Sequence, residues 1–436
     1  MAINARAVTG CNSVDAQAAE SAILILHTFA FLHYENIMEA ILERAAGACQ
    51  ESSHGDNVRC HLSQMASYPS CQLLQLDKEG SWDALFFRKG IRVLLSFSLV
   101  KRGPSGTVYS VHPLVHSWSQ DRMSKLDFKN MCYSASALLS CSITLQFTSH
   151  DYAFCQTLIP HINANYQYAA AAGVIKAYNE DECENFALVY GESGYWKEAE
   201  KLYVQVMETR KRVLGEEHPD TLKGIVNLAS TYWKQGYLKE AEELEVHVMK
   251  ISLKVLGKEH LDTLTSMGNL ASTYQNQGQW KEAEQLEVQV LETRKRVLEV
   301  EHPHTLKSMG NLASTYRHQG RWKEAQELEV QVMETSLKVL GVEHPDTLTS
   351  IASLASTYRS HCQWKDAEDL LVQVMETRKR VLGVEHPDTL TSMGDLASTY
   401  QRQSQWKEAE ELLVQVMETR MRVLGVEHRD TLQAWH

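Results

Sequence analysis

The sequence predicts an all-α protein whose second half is a superhelix of stacked helix pairs. A tryptophan recurs at spacings of 42 residues or twice that, as from Trp280 to Trp322, and Leu238 fills the one gap. Each period holds two stretches of helical periodicity, the first opening near Pro-Asp and the second followed by glycine. A fixed period in this range is typical of repeat proteins, in which each unit buries its apolar face against its neighbours.

Composition and charge limit the classes of function. The chain has 436 residues, of which 44% are hydrophobic and 22% charged, which fits two or three globular domains. Residues 181–436 carry 30 basic and 41 acidic side chains, whereas residues 1–180 carry 13 and 14, so the repeats hold nearly all of the net charge of −12. An acidic repeat region argues against a nucleic-acid partner, which needs a basic face.

Neither a membrane nor a secreted location is indicated. The longest apolar run, residues 22–32, is shorter than the ~20 residues that a membrane helix needs. The nine cysteines are odd in number and include no Cys-x-x-Cys pair, which favours reduced thiols over a disulfide framework. We therefore predict a cytoplasmic protein without a membrane partner.

The region before the repeats divides by composition. Residues 1–20 are small and polar and are expected to be an unstructured lead, whereas residues 47–80 are rich in Ser, Gly, Cys and Gln and predict a loop insertion. That insertion lies in a predicted domain over 21–124. A helical arm over 125–179 follows, with a kink or a new helix start at Pro160.

The second part of that domain predicts a helix, a hairpin and another helix. Periodicity predicts a helix from Trp82 to Val100, with Leu85 and Phe97 among its inward-facing residues. The GPSG sequence at 103–106 marks a turn, the following TVYSVH alternates as a strand does, and His112 opens the second helix. This order is the outline of a winged-helix-like domain.

A family resemblance is carried by the stretch GIRVLLSFSLVKRGPSGTVYSVHPLVHSWSQDRM. It resembles the winged-helix part of fungal NB-ARC proteins, a branch of the STAND NTPases in which a histidine at this strand-to-helix junction contacts bound ADP. The resemblance implies that role for His112, although Pro113 stands where the family has Asp. A purely structural helix start explains the same residues. Because no GxxxxGK[ST] loop occurs, we expect a non-enzymatic C-terminal piece of such a protein, without a cofactor.

The repeats parse into six units over residues 180–427, with an incomplete seventh over 428–436. The first helix of each unit starts at a recurring EHPD sequence, because Pro suits the first helical turn and Asp the positive end of the helix dipole. The second helix starts at the tryptophan and ends before glycine. Within it, pairs such as Glu292 and Arg296 are predicted to form i, i+4 ion pairs.

The spacing inside each unit is similar to that of tetratricopeptide repeats. Ala271, Tyr274, Gly278 and Ala283 reproduce the small residue, the aromatic residue, the turn glycine and the second alanine of that family. The long unit with HPDT resembles the repeats of kinesin light chains and of fungal NB-ARC proteins. Its period exceeds the usual ~34 residues, which lengthens each helix by roughly one turn.

This resemblance implies that the first helices line a concave groove. In related repeats, an Asn two residues before the small Ala can hydrogen-bond an extended peptide, and an amide offers both a donor and an acceptor. The candidate peptide-binding residues are Asn185, Asn227, Asn269, Asn311, Ser272, Ser314, Gln275, Arg317 and Arg359. Alternatively, the Asn ladder satisfies backbone groups of neighbouring helices.

The recurring histidines do not predict a metal site. Equivalent residues on adjacent helices lie ~8–10 Å apart, whereas two nitrogens on one zinc ion lie within ~4 Å of each other. No metal is therefore expected.

The leading hypothesis is a non-enzymatic interaction protein that binds a protein or peptide in its groove. The alternative is a kinesin-light-chain-like cargo adaptor, which needs an N-terminal heptad helix that residues 1–80 do not show. The incomplete seventh unit leaves the end of the stack partly covered, so self-association is also expected.

Overall fold

The computed structural model describes residues 13–51, 68–143, 149–171, 173 and 179–424. The chain divides into two compact units, Met1–Leu202 and Tyr203–His436. Parts of three predicted segments, namely residues 1–12, 52–67 and 428–436, lie outside the described residues.

The first unit combines helices with a small sheet. Its elements are α1 (Ser13–Phe29), β1 (Ile37–Met38), α2 (Glu39–Glu51), a 3-10 helix (Pro69–Leu74), α3 (Leu85–Ser96), β2 (Val100–Arg102), β3 (Val108–Val111), α4 (Pro113–Asp121), α5 (Lys125–Cys141), α6 (Ser149–Ala171) and α7 (Glu180–Glu192). The sheet has the antiparallel order β1-β3-β2, with Ile37 opposite Tyr109 and Val100 opposite Val111. The predicted helix, hairpin and helix are therefore present.

Three features of this unit differ from the prediction. Helix α1 begins at Ser13, inside the expected lead. The expected loop insertion contains the 3-10 helix, which buries Leu73. Helix α3 is shorter than predicted, and Leu85 and Phe97 are 57% and 59% exposed. Phe97 lies beyond the buried face because the chain leaves the helix through Ser98, whose φ is 58°.

Helix α6 continues through Pro160, where a kink or a new start was expected. The next residue, His161, accepts a hydrogen bond at Nδ1 from the His33 backbone N–H and bonds the Asn36 carbonyl through Nε2, both at 3.1 Å. One turn later, Asn165 donates to two backbone carbonyls at 3.2 Å. These tertiary bonds hold the turns after the proline in place, so the missing N–H does not end the helix.

The second unit is a succession of helix pairs. The helices are α8 (Trp196–Leu214), which begins before the first residue of this unit, α9 (Pro219–Gln235), α10 (Leu238–Val255), α11 (Leu261–Asn276), α12 (Trp280–Leu298), α13 (Pro303–His318), α14 (Trp322–Leu340), α15 (Pro345–Ser360), α16 (Trp364–Leu382), α17 (Pro387–Arg402) and α18 (Trp406–Leu424). We number the repeats so that α7 and α8 form repeat 1, and α17 and α18 form repeat 6. From α10 to α18, each helix packs against the next in chain order.

A histidine caps the first helix of repeats 2 to 6. In repeat 2, His218 Nδ1 accepts a hydrogen bond of 3.2 Å from the N–H of Asp220, and Pro219 occupies the first helical turn. The other capping histidines are His260, His302, His344 and His386. The imidazole therefore satisfies one of the N–H groups that a helix start leaves unpaired.

Small and large apolar residues interlock between the helices. In repeat 4, Ala313 is fully buried, and Met309 and Leu306 pack in one cluster with Leu291 of α12 and Val332 of α14. Each second helix thus contributes to the core of its own repeat and to that of the next one. This sharing makes each unit depend on its neighbours for burial.

Ion pairs join the turn that opens each of repeats 2 to 6 to the end of the second helix of the same repeat. Arg296 Nη2 lies 2.8 Å from Glu259 Oε1, in the turn that precedes its repeat, so the prediction that Arg296 pairs with Glu292 is wrong. We call this series the surface ladder, and its other pairs are Glu217–Lys254, Glu301–Lys338, Glu343–Arg380 and Glu385–Arg422. The turn brings the acidic side chain to the late second helix, where sequence separation alone would not suggest a partner.

Replacing Arg380 with glutamine is expected to lower the free energy of unfolding by less than about 1 kcal/mol, because exposed ion pairs contribute little. The two side chains of this pair are 61% and 55% exposed. Arg378, two residues earlier, is the matched contrast, since it is buried and donates to Ser392 Oγ at 2.7 Å. Urea denaturation should show a clearly larger loss for Arg378→Gln, and equal losses would contradict this ranking.

Candidate peptide-binding groove

The first helices of repeats 3, 4 and 6 share a strip of backbone that faces open space. A Cβ built on Gly268, Gly310 or Gly394 would have no neighbouring atom within 4 Å. Glycine inside a helix lowers stability by roughly 1 kcal/mol relative to alanine, so helix formation does not explain its recurrence. The half-buried Asn269 and Asn311 directly follow the first two glycines. We call these five residues the open row.

The predicted Asn ladder does not have one role throughout. Asn185 Nδ2 donates to Ser140 Oγ of α5 at 2.9 Å, so this amide ties two helices of the first unit together. Asn227 has the same register in α9, is half-buried and has an interaction of its own. The structural alternative therefore describes Asn185, whereas Asn269 and Asn311 lie beside the open backbone.

Gln275 binds the junction between repeats 3 and 4. Its Nε2 donates to Glu287 Oε1 at 2.8 Å and to the carbonyl of Asn311 at 3.2 Å, and it also reaches the Thr315 hydroxyl. The amide nitrogen of Gln275 is thus hydrogen-bonded within the protein itself. Because Gln275 contacts the backbone of Asn311, the junction lies directly beside the open row.

The two predicted groove arginines have different partners. Arg317 Nη1 lies 3.9 Å from Glu329 Oε1, and its Nη2 donates to Ser314 Oγ at 3.3 Å. Arg359 instead donates to Asp395 of the next first helix at 2.8 Å and to a serine hydroxyl beside it. The remaining candidate, Ser272, donates to the carbonyl of Gly268 in its own helix. Arg317, Arg359 and Ser272 therefore each have a partner within the protein itself.

Three buried glutamates were not predicted from the sequence. Glu245, Glu287 and Glu329 occupy one register of the second helices and are 7%, 2% and 2% exposed. Burial raises the pKa of each of them to about 7. The signal was present in the apolar pattern, since the same register holds Leu371 in repeat 5 and Leu413 in repeat 6. A carboxyl group in an otherwise apolar register departs from the pattern of a buried helix face.

His112 is exposed and caps α4. Its Nδ1 accepts a hydrogen bond of 3.2 Å from the N–H of Leu114. This is the contact that the histidines of the repeats make, with Pro113 in the same place as their prolines. The local geometry therefore accounts for the His-Pro sequence as a helix start.

Metal-binding clusters and membrane spans are both absent from the residues that the structure describes. No group of three His, Cys, Asp or Glu side chains in that part of the chain is arranged to hold a metal ion. Likewise, none of the described helices is both long and apolar enough to cross a membrane.

Consecutive helix pairs whose first helices carry the open row define a helical-repeat interaction scaffold. The model of the tetratricopeptide repeat family matches residues 175–254, 225–296, 262–338, 304–380 and 362–422, which together cover more than half of the chain. The chain belongs to this family. Comparison with the curated proteins gives no match.

Several solved structures are similar in sequence or fold. The nearly identical repeats of a putative kinesin light chain from Podosopora anserina are 39% identical, over 47% of this chain and 98% of theirs, with a TM-score of 0.40. The apo quorum sensor NprR from B. thuringiensis is 13% identical over 86% and 97% of the two chains, with a TM-score of 0.48. A STAND protein with a tetratricopeptide repeat sensor from Pyrococcus horikoshii is 11% identical over 79% and 58%, with a TM-score of 0.42.

Proposed function

We propose that the first helices of repeats 2 to 4 bind an extended segment of a peptide or protein ligand, and that the chain is a scaffold without enzymatic activity. The observation that carries this proposal is the open row, where Asn269 and Asn311 stand beside helix backbone with free space in front of it. Tetratricopeptide repeats are protein-interaction scaffolds, so the family supports the same function.

The spacing of the amides suits an extended chain. Adjacent helices lie ~8–10 Å apart, and an extended strand advances ~3.3 Å per residue. Successive asparagines would therefore meet the ligand backbone about every third residue. Each amide can donate to a carbonyl and accept from an N–H, so recognition of the main chain needs no particular ligand sequence.

Replacing Asn227, Asn269 and Asn311 together with alanine is expected to weaken ligand binding at least about tenfold, because each lost hydrogen bond contributes roughly 0.5–1.5 kcal/mol. The probe is a set of phage-displayed 12-residue peptides selected on the full chain, with affinities measured by calorimetry. The matched control replaces Gln289, Gln331 and Gln373, which are exposed on second helices. A control that loses affinity while the Asn variant retains it would refute the groove.

The first unit supports a proposal about origin. Its order of helix, strand, helix, helix, strand, strand, with a sheet order of β1-β3-β2, supports a winged-helix-like domain. We infer that the chain derives from an NB-ARC or STAND regulator in which the repeats act as the sensor, and His112 holds the MHD-like position. A kinesin-light-chain-like adaptor is the alternative, favoured by the HPDT units. A cytoplasmic location is consistent with the free cysteines among the described residues.

A further inference from the structure

The three buried glutamates are not required by the packing of the fold. Glu245, Glu287 and Glu329 share one register in α10, α12 and α14. Repeat 5 has Leu371 in that register, and this leucine is 1% exposed inside an apolar cluster. The helix pairs therefore accommodate an apolar side chain there, and the carboxyl groups of repeats 2 to 4 need another explanation.

Each carboxyl group faces the following repeat. Thr315 of repeat 4 donates to Glu287 Oε2 at 2.6 Å, across the junction between repeats 3 and 4. Thr273 and Thr357 have the equivalent positions opposite Glu245 and Glu329. Any change in the charge of these glutamates is consequently felt at the contact between two successive repeats.

The charged and titratable groups around the three sites do not neutralise them fully. Glu242 and Tyr274 face Glu245, and Glu284 faces Glu287. Gln275, which donates a hydrogen bond to Glu287, is uncharged. Glu329 has a cation nearby, but the guanidinium of Arg317 is 3.9 Å away, beyond hydrogen-bond distance. Gln275 and Thr315 donate to the two oxygens of Glu287 and offset part of the cost of its burial. Glu245 Oε2 and both oxygens of Glu329 have no hydrogen-bond partner among the described residues, so a carboxylate is more costly to bury at these two sites.

We propose that Glu245, Glu287 and Glu329 make the junctions from repeat 2 to repeat 5 proton-sensitive, closed when the carboxyls are protonated and looser when they ionise. The asparagines of the open row lie on the first helices that these junctions join. A looser junction therefore lets Asn269 and Asn311 move relative to each other. Loss of these protons therefore makes the proposed groove more flexible between Asn269 and Asn311.

The direction of the pH effect on the junctions, and the pH range in which it occurs, follow from the linkage between proton binding and stability. Burial raises the pKa of each glutamate to about 7, from the ordinary value of 4.5. An opened junction loses its proton near the lower value and a closed junction near the higher one. The stabilisation is therefore complete below the lower value and is lost as the pH rises to about 7. Within the window, the opening equilibrium grows about tenfold per pH unit for each carboxyl.

Hydrogen exchange measured by mass spectrometry on the full chain between pH 5 and 8 tests this proposal. After correction for intrinsic exchange, protection in α10 to α15 should fall by about tenfold per pH unit up to pH 7. Protection in α16 and α17, at the junction of Leu371, should change much less. The capping histidines are common to both groups of repeats, so they do not distinguish them. Equal pH profiles at the two kinds of junction would overturn the proposal.

Two variants sharpen the test. The triple change Glu245→Gln, Glu287→Gln and Glu329→Gln keeps the size and the polarity of the side chains but cannot ionise, so protection in α10 to α15 should not change between pH 5 and 7. If protection in this variant fell with pH as it does in the wild type, the proposal would be overturned. Glu287→Leu, which copies the residue that repeat 5 has in this register, provides a second variant in which only one junction loses its slope. Because no ligand is present in these measurements, their failure would leave the peptide-binding proposal untouched.

Discussion

Replacing Glu287 with leucine is expected to raise the free energy of unfolding by about 1–3 kcal/mol at pH 8, because burial of an ionised carboxyl costs more than its hydrogen bonds from Gln275 and Thr315 return. Glu287 is 2% exposed and burial raises its pKa to about 7, so it is mostly ionised at that pH. Leu371 shows that leucine fits the register. Urea denaturation at pH 8, monitored by circular dichroism, would give a higher midpoint for the variant.

The reciprocal change is the control for this result. Leu371→Glu should destabilise by more than Glu287→Leu stabilises, because it removes a packed leucine and buries a carboxyl in an apolar cluster. At pH 5 the gain from Glu287→Leu should shrink, since the native carboxyl is then protonated. A gain of the same size at both pH values would show that packing, and not charge, sets the effect.

Replacing Glu299 with glycine is expected to raise the free energy of unfolding by about 1–2 kcal/mol. Glu299 ends α12 with φ 73° and ψ 169°, a backbone conformation that is almost confined to glycine and costs about 1–3 kcal/mol for other residues. At the same turn, repeats 2, 4 and 5 have glycines whose φ is 87° to 90°: Gly257, Gly341 and Gly383. The extra freedom of glycine in the unfolded chain offsets part of the gain.

The turn after repeat 4 offers the matched control. A Cβ on Gly341 would contact nothing within 4 Å, so Gly341→Glu introduces the backbone strain without a clash. Thermal denaturation should show a loss for Gly341→Glu of about the same size as the gain for Glu299→Gly. If Glu299→Gly were destabilising, a contact of the Glu299 side chain would have to outweigh its strained backbone.

The repeats were largely predictable because each signal occurs several times. The recurring His-Pro sequence and the turn glycines place the starts and ends of the helices, and the structure has α9 begin at Pro219 and end before Gly236. Burial of Ala271 and Ala313 also follows from the spacing. Single repeats differ from the common pattern at some positions. Because the pattern occurs several times, it still predicts the fold.

The first unit and the polar contacts were less predictable for a physical reason. Its helices occur once, so the end of α3 at Ser96 depends on one left-handed residue that the apolar pattern does not reveal. The partners of the polar side chains come close only when the repeats stack, so the sequence alone does not identify them. Gln275 and Glu287 are in different helices, and their contact depends on the packing between those helices. Sequence periodicity locates faces but does not pair the side chains on them.

The surface ladder has a consequence for how such a gene changes in length. Donor and acceptor return with the same period as the fold, so gain or loss of one unit among repeats 2 to 4 leaves every rung with a partner. The contact between Arg359 and Asp395 is different, because the units before it have Asn or Ser where Asp395 stands. Adding or removing a middle unit therefore preserves the surface ladder, whereas removing the unit that holds Asp395 would take this partner from Arg359.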